Sequence, residues 1–441
     1  MSRSVGLLLV LALGNFLYVL DRNVMSLFMP VIRGDLHLSA TQQGLILGLA
    51  FIVVLSVVAI PIARVADRVG SRHVIAGSLF VWSFATFITG FAGSFGQLFA
   101  ARMVVGAGEA GFTPAVHAAL ALIFSPKNLG RALAVFILGT SAGQVLGFYA
   151  SGEMANIIGW RGGFHVLGAA GIGLAFVVWF VWPLLFRTYG ENVRAVKAAE
   201  ERAIVDEVAR GLTGLPNNSI LKWAAAELVV AGRTLKALLK VPGFIFLVMA
   251  AMAHSVAAFA VQQSMPTFLH DHYQMSMKDV GLWMGPVFSM AAVAGTVVTG
   301  FIIDFFKPEK KLVTCLRFAA VSVIATVPLF SLGLVFPEVG GLWIFVPAFF
   351  LSSLYYAPTY FVLQNLATSE NRASANALLI TGFQIAGLGL GPTLVGISTD
   401  ALGTFGIKEA LAFSMAAVAA LNLLSGFFFF RAQKTIMKRG V

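Results

Sequence analysis

The sequence predicts an all-α membrane protein, with twelve transmembrane helices in two pseudo-symmetric six-helix halves. Three observations predict it. Of 441 residues, 59% are hydrophobic and 11% charged, where soluble domains carry roughly 45–50% and about 25%; the mean hydropathy is +0.88. The apolar residues form long unbroken runs, not the alternating segments of about ten residues that a transmembrane barrel needs. At ~20 residues per crossing plus short turns, the length admits about twelve helices.

The first run, 5–30, follows Met1–Arg3 directly and is interrupted by Asp21 and Arg22. No small-residue cleavage site follows it, so a first spanning helix is expected and not a signal peptide. Further runs lie at 41–62, 74–93, 97–124, 132–151 and 163–186. A second set lies at 243–269, 280–305, 312–336, 341–366, 373–397 and 407–430. Residues 1–186 are therefore expected as one six-helix bundle and 241–441 as the other. Between them, 187–240 is a polar linker, within which Ile220–Lys240 mixes apolar and basic residues like a helix lying on a membrane face.

The halves repeat weakly. Arg131 opens the fifth helix and Arg372 the eleventh, Gln144 and Gln384 follow them, and Asp67 and Asp304 end the second and eighth. These pairs are 237 to 241 residues apart. Two related six-helix halves are the architecture of a secondary transporter.

The net charge of +11 raises the possibility of nucleic acid, but its distribution argues otherwise. With a cytoplasmic N-terminus, 24 of the 30 basic residues fall in cytoplasmic segments and only Arg33, Arg161, Lys278 and Lys408 outside. The basic excess thus reports topology, with both termini cytoplasmic in a cell (inner or plasma) membrane. The expected surroundings are lipid bilayer, with no nucleic-acid partner, and a monomer is expected.

Ala63-Arg64-Val65-Ala66-Asp67-Arg68-Val69-Gly70-Ser71-Arg72 resembles the cytoplasmic signature of the major facilitator superfamily between helices 2 and 3. Ala63 and Ser71 depart from its usual Gly and basic residue, which implies a looser gating loop. In this reading Asp67 caps a neighbouring helix N-terminus while Arg68 and Arg72 pair with cytoplasmic acids, closing the inner side. Leu20-Asp21-Arg22, Gly106-Ala107-Gly108-Glu109-Ala110-Gly111, Ile60-Pro61-Ile62, Tyr356-Ala357-Pro358-Thr359 and Gly387-Leu388-Gly389-Leu390-Gly391-Pro392 look like the Spinster-type members, a group associated with lysolipids and sphingoid lipids. The anion:cation symporters of sugar acids share the Asp-Arg pair and the Gly-Glu-Ala. The resemblance implies alternating access and an amphipathic lipid-like substrate. The alternatives are a proton-coupled organic-anion or sugar-acid symporter and a drug/proton antiporter.

Apart from histidines, four ionisable residues fall clearly inside the membrane: Asp21, Arg22, Arg102 and Glu109. Each costs roughly 2.5–3.5 kcal/mol to insert at mid-helix, about 10 kcal/mol together before pairing, and packing alone does not require them. Arg102 and Glu109 are seven apart, hence on one helix face, and His117 continues that stripe. Asp21 and Arg22 are adjacent and about 100° apart, so one is expected to face a cavity and the other a neighbouring helix. Burial favours the neutral form of a carboxylate and an approaching Arg the ionised form. Asp21 and Glu109 are therefore the candidate proton carriers, with Arg22 and Arg102 as ligands for an anionic substrate.

Softer candidates for substrate contact are His254 and Gln263 before Pro266, Tyr356 and Tyr360 around Pro358, and Gln144 and Gln384. Arg131 and Asp304 join Asp67, Arg68 and Arg72 as gating candidates. An enzyme is not expected: there is no H-E-x-x-H, P-loop or cysteine cluster, Cys315 being alone. His270-Asp271-His272 is the one metal-like triplet, too near the surface to be expected as a site. No cofactor or metal is assigned.

Overall fold

The computed structural model describes residues 3–185, 235–336, 341–367 and 372–437, with four isolated positions between 225 and 233. Among these residues the backbone is helical apart from short turns, without a strand. The expected linker and its surface helix fall almost entirely outside the described residues. Of them, 235–238 is helical, and Leu238 is buried in the core of the second half.

In the first half, α1 is Arg3–Leu36, α2 is Ala40–Leu47 continued by Leu49–Val69, and α3 is Ser71–Thr89. The helix α4 is Phe95–Glu109 continued by Phe112–Ile123, and Pro126–Leu185 supplies α5 and α6. A straight helix of 60 residues would be about 90 Å long, three times the hydrocarbon core. It folds instead at Gly159, whose φ of +70° and ψ of 172° are left to glycine. Gly139, Gly143 and Gly147 run alongside Ala12, Phe16 and Leu20 of α1, whereas Gly163 meets Phe28 and Leu174 meets Gly14. The first arm is therefore parallel to α1 and the second antiparallel.

In the second half, α7 is Phe244–Tyr273, and α8 is Met277–Leu282, a π-helical turn Trp283–Ser289 and Met290–Asp304. Next come α9, Lys311–Val335, and α10, Phe345–Ser353 continued by Tyr356–Leu366. A second π-helical turn, Ile385–Leu390, joins Arg372–Gln384 to Gly391–Thr404 in α11, and α12 is Ala410–Ala419 with Leu421–Met437. Nine helices among the described residues are long and apolar enough to cross a membrane. The fold at Gly159 makes one of them two crossings, and α3 and α4 complete the twelve. Helix starts follow local chemistry: Ser39 accepts from the Gln42 N–H in a capping box, and Ser94 and Ser276 cap α4 and α8. Pro266 does not break α7: the helix runs through it to Tyr273, with Pro266 buried. Pro358 sits in the first turn of the second α10 segment, where a missing N–H costs nothing.

Contacts across the halves gather at the end remote from Arg3 and Met437. There Ser26 Oγ donates to the Gln263 carbonyl at 2.9 Å, and Gln43 Nε2 to Thr267 Oγ1 at 2.9 Å. Both carboxylate oxygens of Asp400 accept from the N-terminus of α2, from Ala40 N at 3.0 Å and Thr41 N at 2.8 Å. Gly152 of α5 and Gly281 of α8 meet so closely that a Cβ on Gly152 would lie 2.6 Å from the Met277 carbonyl. Lys278 pairs with Glu153 at 3.0 Å, and Arg33 with Asp271 at 3.6 Å. Toward the other end the same faces continue as exposed surface, with Leu138 on α5 and Thr381 and Ile385 on α11. The halves part there, and the space between them opens at the end that carries both termini.

Candidate functional site

The intramembrane charges gather inside the first half, between α1, α2, α3 and α4. Two close helix approaches put them there. A Cβ on Gly106 would stand 2.4 Å from the Phe51 carbonyl of α2, and one on Gly108 2.6 Å from the Trp82 nitrogen of α3. Only glycine admits α4 so near both neighbours. The first α4 segment ends at Glu109, which is thereby brought against α1.

Asp21 and Arg22 diverge around α1. Asp21 turns into the bundle, where Thr86 Oγ1 donates to Oδ1 at 2.6 Å and Arg102 Nη1 lies 3.4 Å from Oδ2. Both members of this ion pair are buried. Arg22 turns the other way, and its Nε donates to Glu109 Oε2 at 2.8 Å. Its Nη2 donates to the Tyr18 hydroxyl, and its guanidinium lies 4.3 Å from the Tyr18 ring centroid and 4.7 Å from that of Phe51. The Arg22 side chain is 18% exposed and that of Glu109 0%. Arg22 is thus the member of the group that solvent reaches. Glu109 Oε1 and Arg102 Nε are buried without a hydrogen-bond partner. A carboxylate with one oxygen satisfied and the other orphaned has reason to bind a proton or water.

His117 does not extend this group. The break of α4 at Ala110–Gly111 turns the second segment, and His117 is exposed, edge-on to Phe136 of α5 at 5.5 Å. A continuous α4 underlay the expected stripe, and the structure lacks it.

The polar groups of the second half form a separate, buried cluster. His254 Nδ1 and Asn422 Oδ1 are 2.8 Å apart, and Asn422 Nδ2 donates to Thr326 Oγ1 at 2.8 Å. That chain places the ring proton on Nδ1 and leaves Nε2 to Ser352 Oγ at 3.4 Å, while Tyr355 packs on the ring at 4.0 Å. His254 is 1% exposed, so it holds α7, α9, α10 and α12 together and does not touch the space between the halves. Gln263 is also buried. Tyr356 is exposed, with Tyr360 tilted against it at 4.7 Å, and Gln384 is half-buried. Gln144 accepts from Asn23 Nδ2 at 3.4 Å.

Among the gating candidates, the side chains of Asp67 and Arg68 lie outside the described residues. Among the described residues Arg72 pairs with no acid: its Nη2 donates to the Trp179 carbonyl at 2.6 Å, with its guanidinium over the Trp179 ring. An aromatic face and a carbonyl of α6 thus anchor it. Arg131 is exposed at the start of α5, and Asp304 pairs with Lys311 at 3.3 Å. The His270-Asp271-His272 triplet disperses, Asp271 to Arg33, His270 to the Met275 carbonyl and His272 to Glu409.

Sequence reasoning missed Tyr18, Phe51 and Thr86, which complete the two ion pairs. Neutral residues in apolar runs carry no insertion penalty that would mark them out. Spacing offered one signal: Tyr18 stands one helical turn before Arg22.

The sequence profile of the Major Facilitator Superfamily matches residues 11–369. The chain belongs to the Major Facilitator Superfamily. Superfamily transporters, not enzymes, are its relatives. It is 30% identical over 420 residues to an MFS-type efflux pump of Mycolicibacterium smegmatis, covering 94% of this chain and 89% of the pump. To the hexuronate transporter of Bacillus subtilis it is 25% identical over 433 residues, covering 95% and 93%. Its fold is similar to the inward-facing, unoccupied structure of a bacterial homolog of the human lysosomal transporter Spinster. The TM-score there is 0.80 at 22% identity, covering 99% of this chain and 98% of that one. A D-xylose–proton symporter shares the superfamily fold at TM-score 0.65 and 14% identity, covering 96% of each chain.

Proposed function

We propose that this transporter couples protons to the movement of an amphipathic anion of lysolipid or sphingoid type. The arrangement that carries the reading is the Arg22–Glu109 pair, with its partly exposed guanidinium and its orphaned, buried carboxylate oxygen. An anionic headgroup entering between the halves competes with Glu109 for Arg22. A carboxylate left without its cation in apolar surroundings takes up a proton instead of staying ionised. Release of the anion returns Arg22 to Glu109 and expels the proton. Asp21 stays with Arg102 and Thr86, fixing α1 against α3 and α4, and is the second carboxylate available to the proton. Phe259 of α7 and Leu388 of α11 pack with the apolar core of the first half, the kind of surface an acyl chain could share once the halves separate.

With both termini cytoplasmic, as the basic residues favour, the space between the halves opens to the cytoplasm. Residues 1–186 and 241–441 move as two bodies about the charged centre, joined by 187–240, in a monomer. Asp67, Arg68, Arg72, Arg131 and Asp304 act at the cytoplasmic gate.

A sugar-acid symporter is the second reading, favoured by the near-complete coverage of the hexuronate transporter. A polar sugar acid asks for cations from both halves, whereas the buried His254–Asn422–Thr326 cluster offers none toward the gap. A drug/proton antiporter is the third, favoured by the efflux-pump relative. Uptake of labelled lysolipid, hexuronate and a cationic dye into proteoliposomes separates them, with and without a proton gradient, for wild type and Glu109→Gln. Gradient-driven lysolipid flux that collapses in the variant supports the proposal. Flux of hexuronate or dye alone moves the assignment to the corresponding rival, and gradient-independent flux that survives the substitution removes the coupling role of Glu109.

A further inference from the structure

At the end of the bundle that carries the chain termini, α9 and α12 enclose a cleft of about 550 Å³ outside the transport site. Arg317 of α9 and Phe430, Gln433, Lys434 and Met437 of α12 line it. Two cations from different helices thus face one space, and among the described residues no carboxylate lines it. Among the described residues neither cation makes a salt bridge, whereas nearby Lys311 is held by Asp304. Gln433 is buried and turned back on Met437, with Nε2 3.5 Å from the sulfur.

The cleft continues into the membrane as an apolar track. Positions 423, 427, 430 and 434 follow one another at helical spacing along a single face of α12. Leu423, Phe427 and Phe430 on it are 52%, 50% and 41% exposed. On α9, Val321 stands one turn beyond Arg317 and is 60% exposed. Charge is confined to the end of the track at the membrane boundary, and the rest is hydrocarbon. Basic pockets between spanning helices with that polarity match a phosphodiester headgroup above acyl chains.

We infer that this cleft binds an anionic phospholipid. Arg317 and Lys434 clamp the phosphodiester, and an acyl chain lies along Phe430, Phe427 and Leu423 against Val321. A bound lipid ties α12 to α9 across the open end of the second half.

Native mass spectrometry of the full-length protein tests this by titration with phosphatidylglycerol and, separately, phosphatidylcholine. Wild type should retain phosphatidylglycerol in preference to phosphatidylcholine. Arg317→Gln/Lys434→Gln should lower that retention about thirtyfold, as expected for two interfacial cations. Lys307→Gln, an exposed cation of the turn between α8 and α9 that does not line the cleft, should leave it unchanged. Both variants replace exposed side chains, and matching size-exclusion profiles establish that they fold. Undiminished phosphatidylglycerol binding in the double variant overturns the inference. So does an equal loss in Lys307→Gln, which would mean general charge attraction. Full displacement of the lipid by inorganic phosphate also overturns it, since the cleft would then be a phosphate site.

Discussion

Asp400, near the end of α11, accepts the backbone N–H of Thr41 at 2.8 Å and so caps a helix of the opposite half. The first N–H groups of α2 lack intrahelical partners and carry the positive end of its dipole. The contact exists only while the halves are closed at this end. Asp400→Ala should therefore destabilise this state by about 1 kcal/mol, the usual worth of an N-cap, and shift the conformer ratio roughly fivefold. Spin-label distances across the halves at both ends would register it. An unchanged distribution would mean that the ion pairs and packing close this end without the cap.

Gly281 and Gly152 meet across α5 and α8, a Cβ on either falling 3.0 Å from the other's Cα. Gly281→Val should prevent closure at this end, because the added atoms fall on the Phe148 carbonyl and on Gly152. Cysteine-labelling rates at that end should rise while those at the opposite end fall. Equal rates in variant and wild type would place the hinge elsewhere.

Arg22 combines a charged hydrogen bond with stacking between two rings, and a lysine reproduces neither the fork nor the plane. Arg22→Lys should raise the transport KM by tenfold or more, about 1.4 kcal/mol or above, with the protein still folded. Tyr18→Phe, which removes only the hydroxyl, should cost less, about 1 kcal/mol. Equal transport by Arg22→Lys and wild type would show that Arg22 is not the anion ligand.

Asp21 and Arg102 form the buried pair, so removing one partner strands the other. Asp21→Asn and Arg102→Gln should each destabilise the fold by about 3–5 kcal/mol, and the double variant by less than either. Thermal unfolding in detergent reads all three. Additive losses would show that the two side chains do not interact energetically.

Long apolar runs, the six-plus-six spacing and four charges that lipid penalises are all local facts, and they made the helices and the candidate residues legible in the sequence. Adjacency of Asp21 and Arg22 on a 100° pitch was enough to predict that they face different ways. The sequence carried no sign of which partner each takes. Arg102 and Glu109 share a face of α4, yet Arg102 pairs with Asp21 and Glu109 with Arg22, because Gly106 and Gly108 let α2 and α3 approach α4 at chosen heights. His117 drops out because α4 breaks after Glu109, and α7 runs on unbroken past a buried Pro266. Arg72 settles on Trp179, and His254 turns inward to Asn422, since the nearest partner in space decides for each. The sequence alone determined the twelve helices and their charges, through hydropathy and helical pitch acting over a few residues. Tertiary structure alone decided the pairing of the charges, the capping of α2 by Asp400 and the end at which the halves part, because these depend on contacts between residues as much as 360 positions apart.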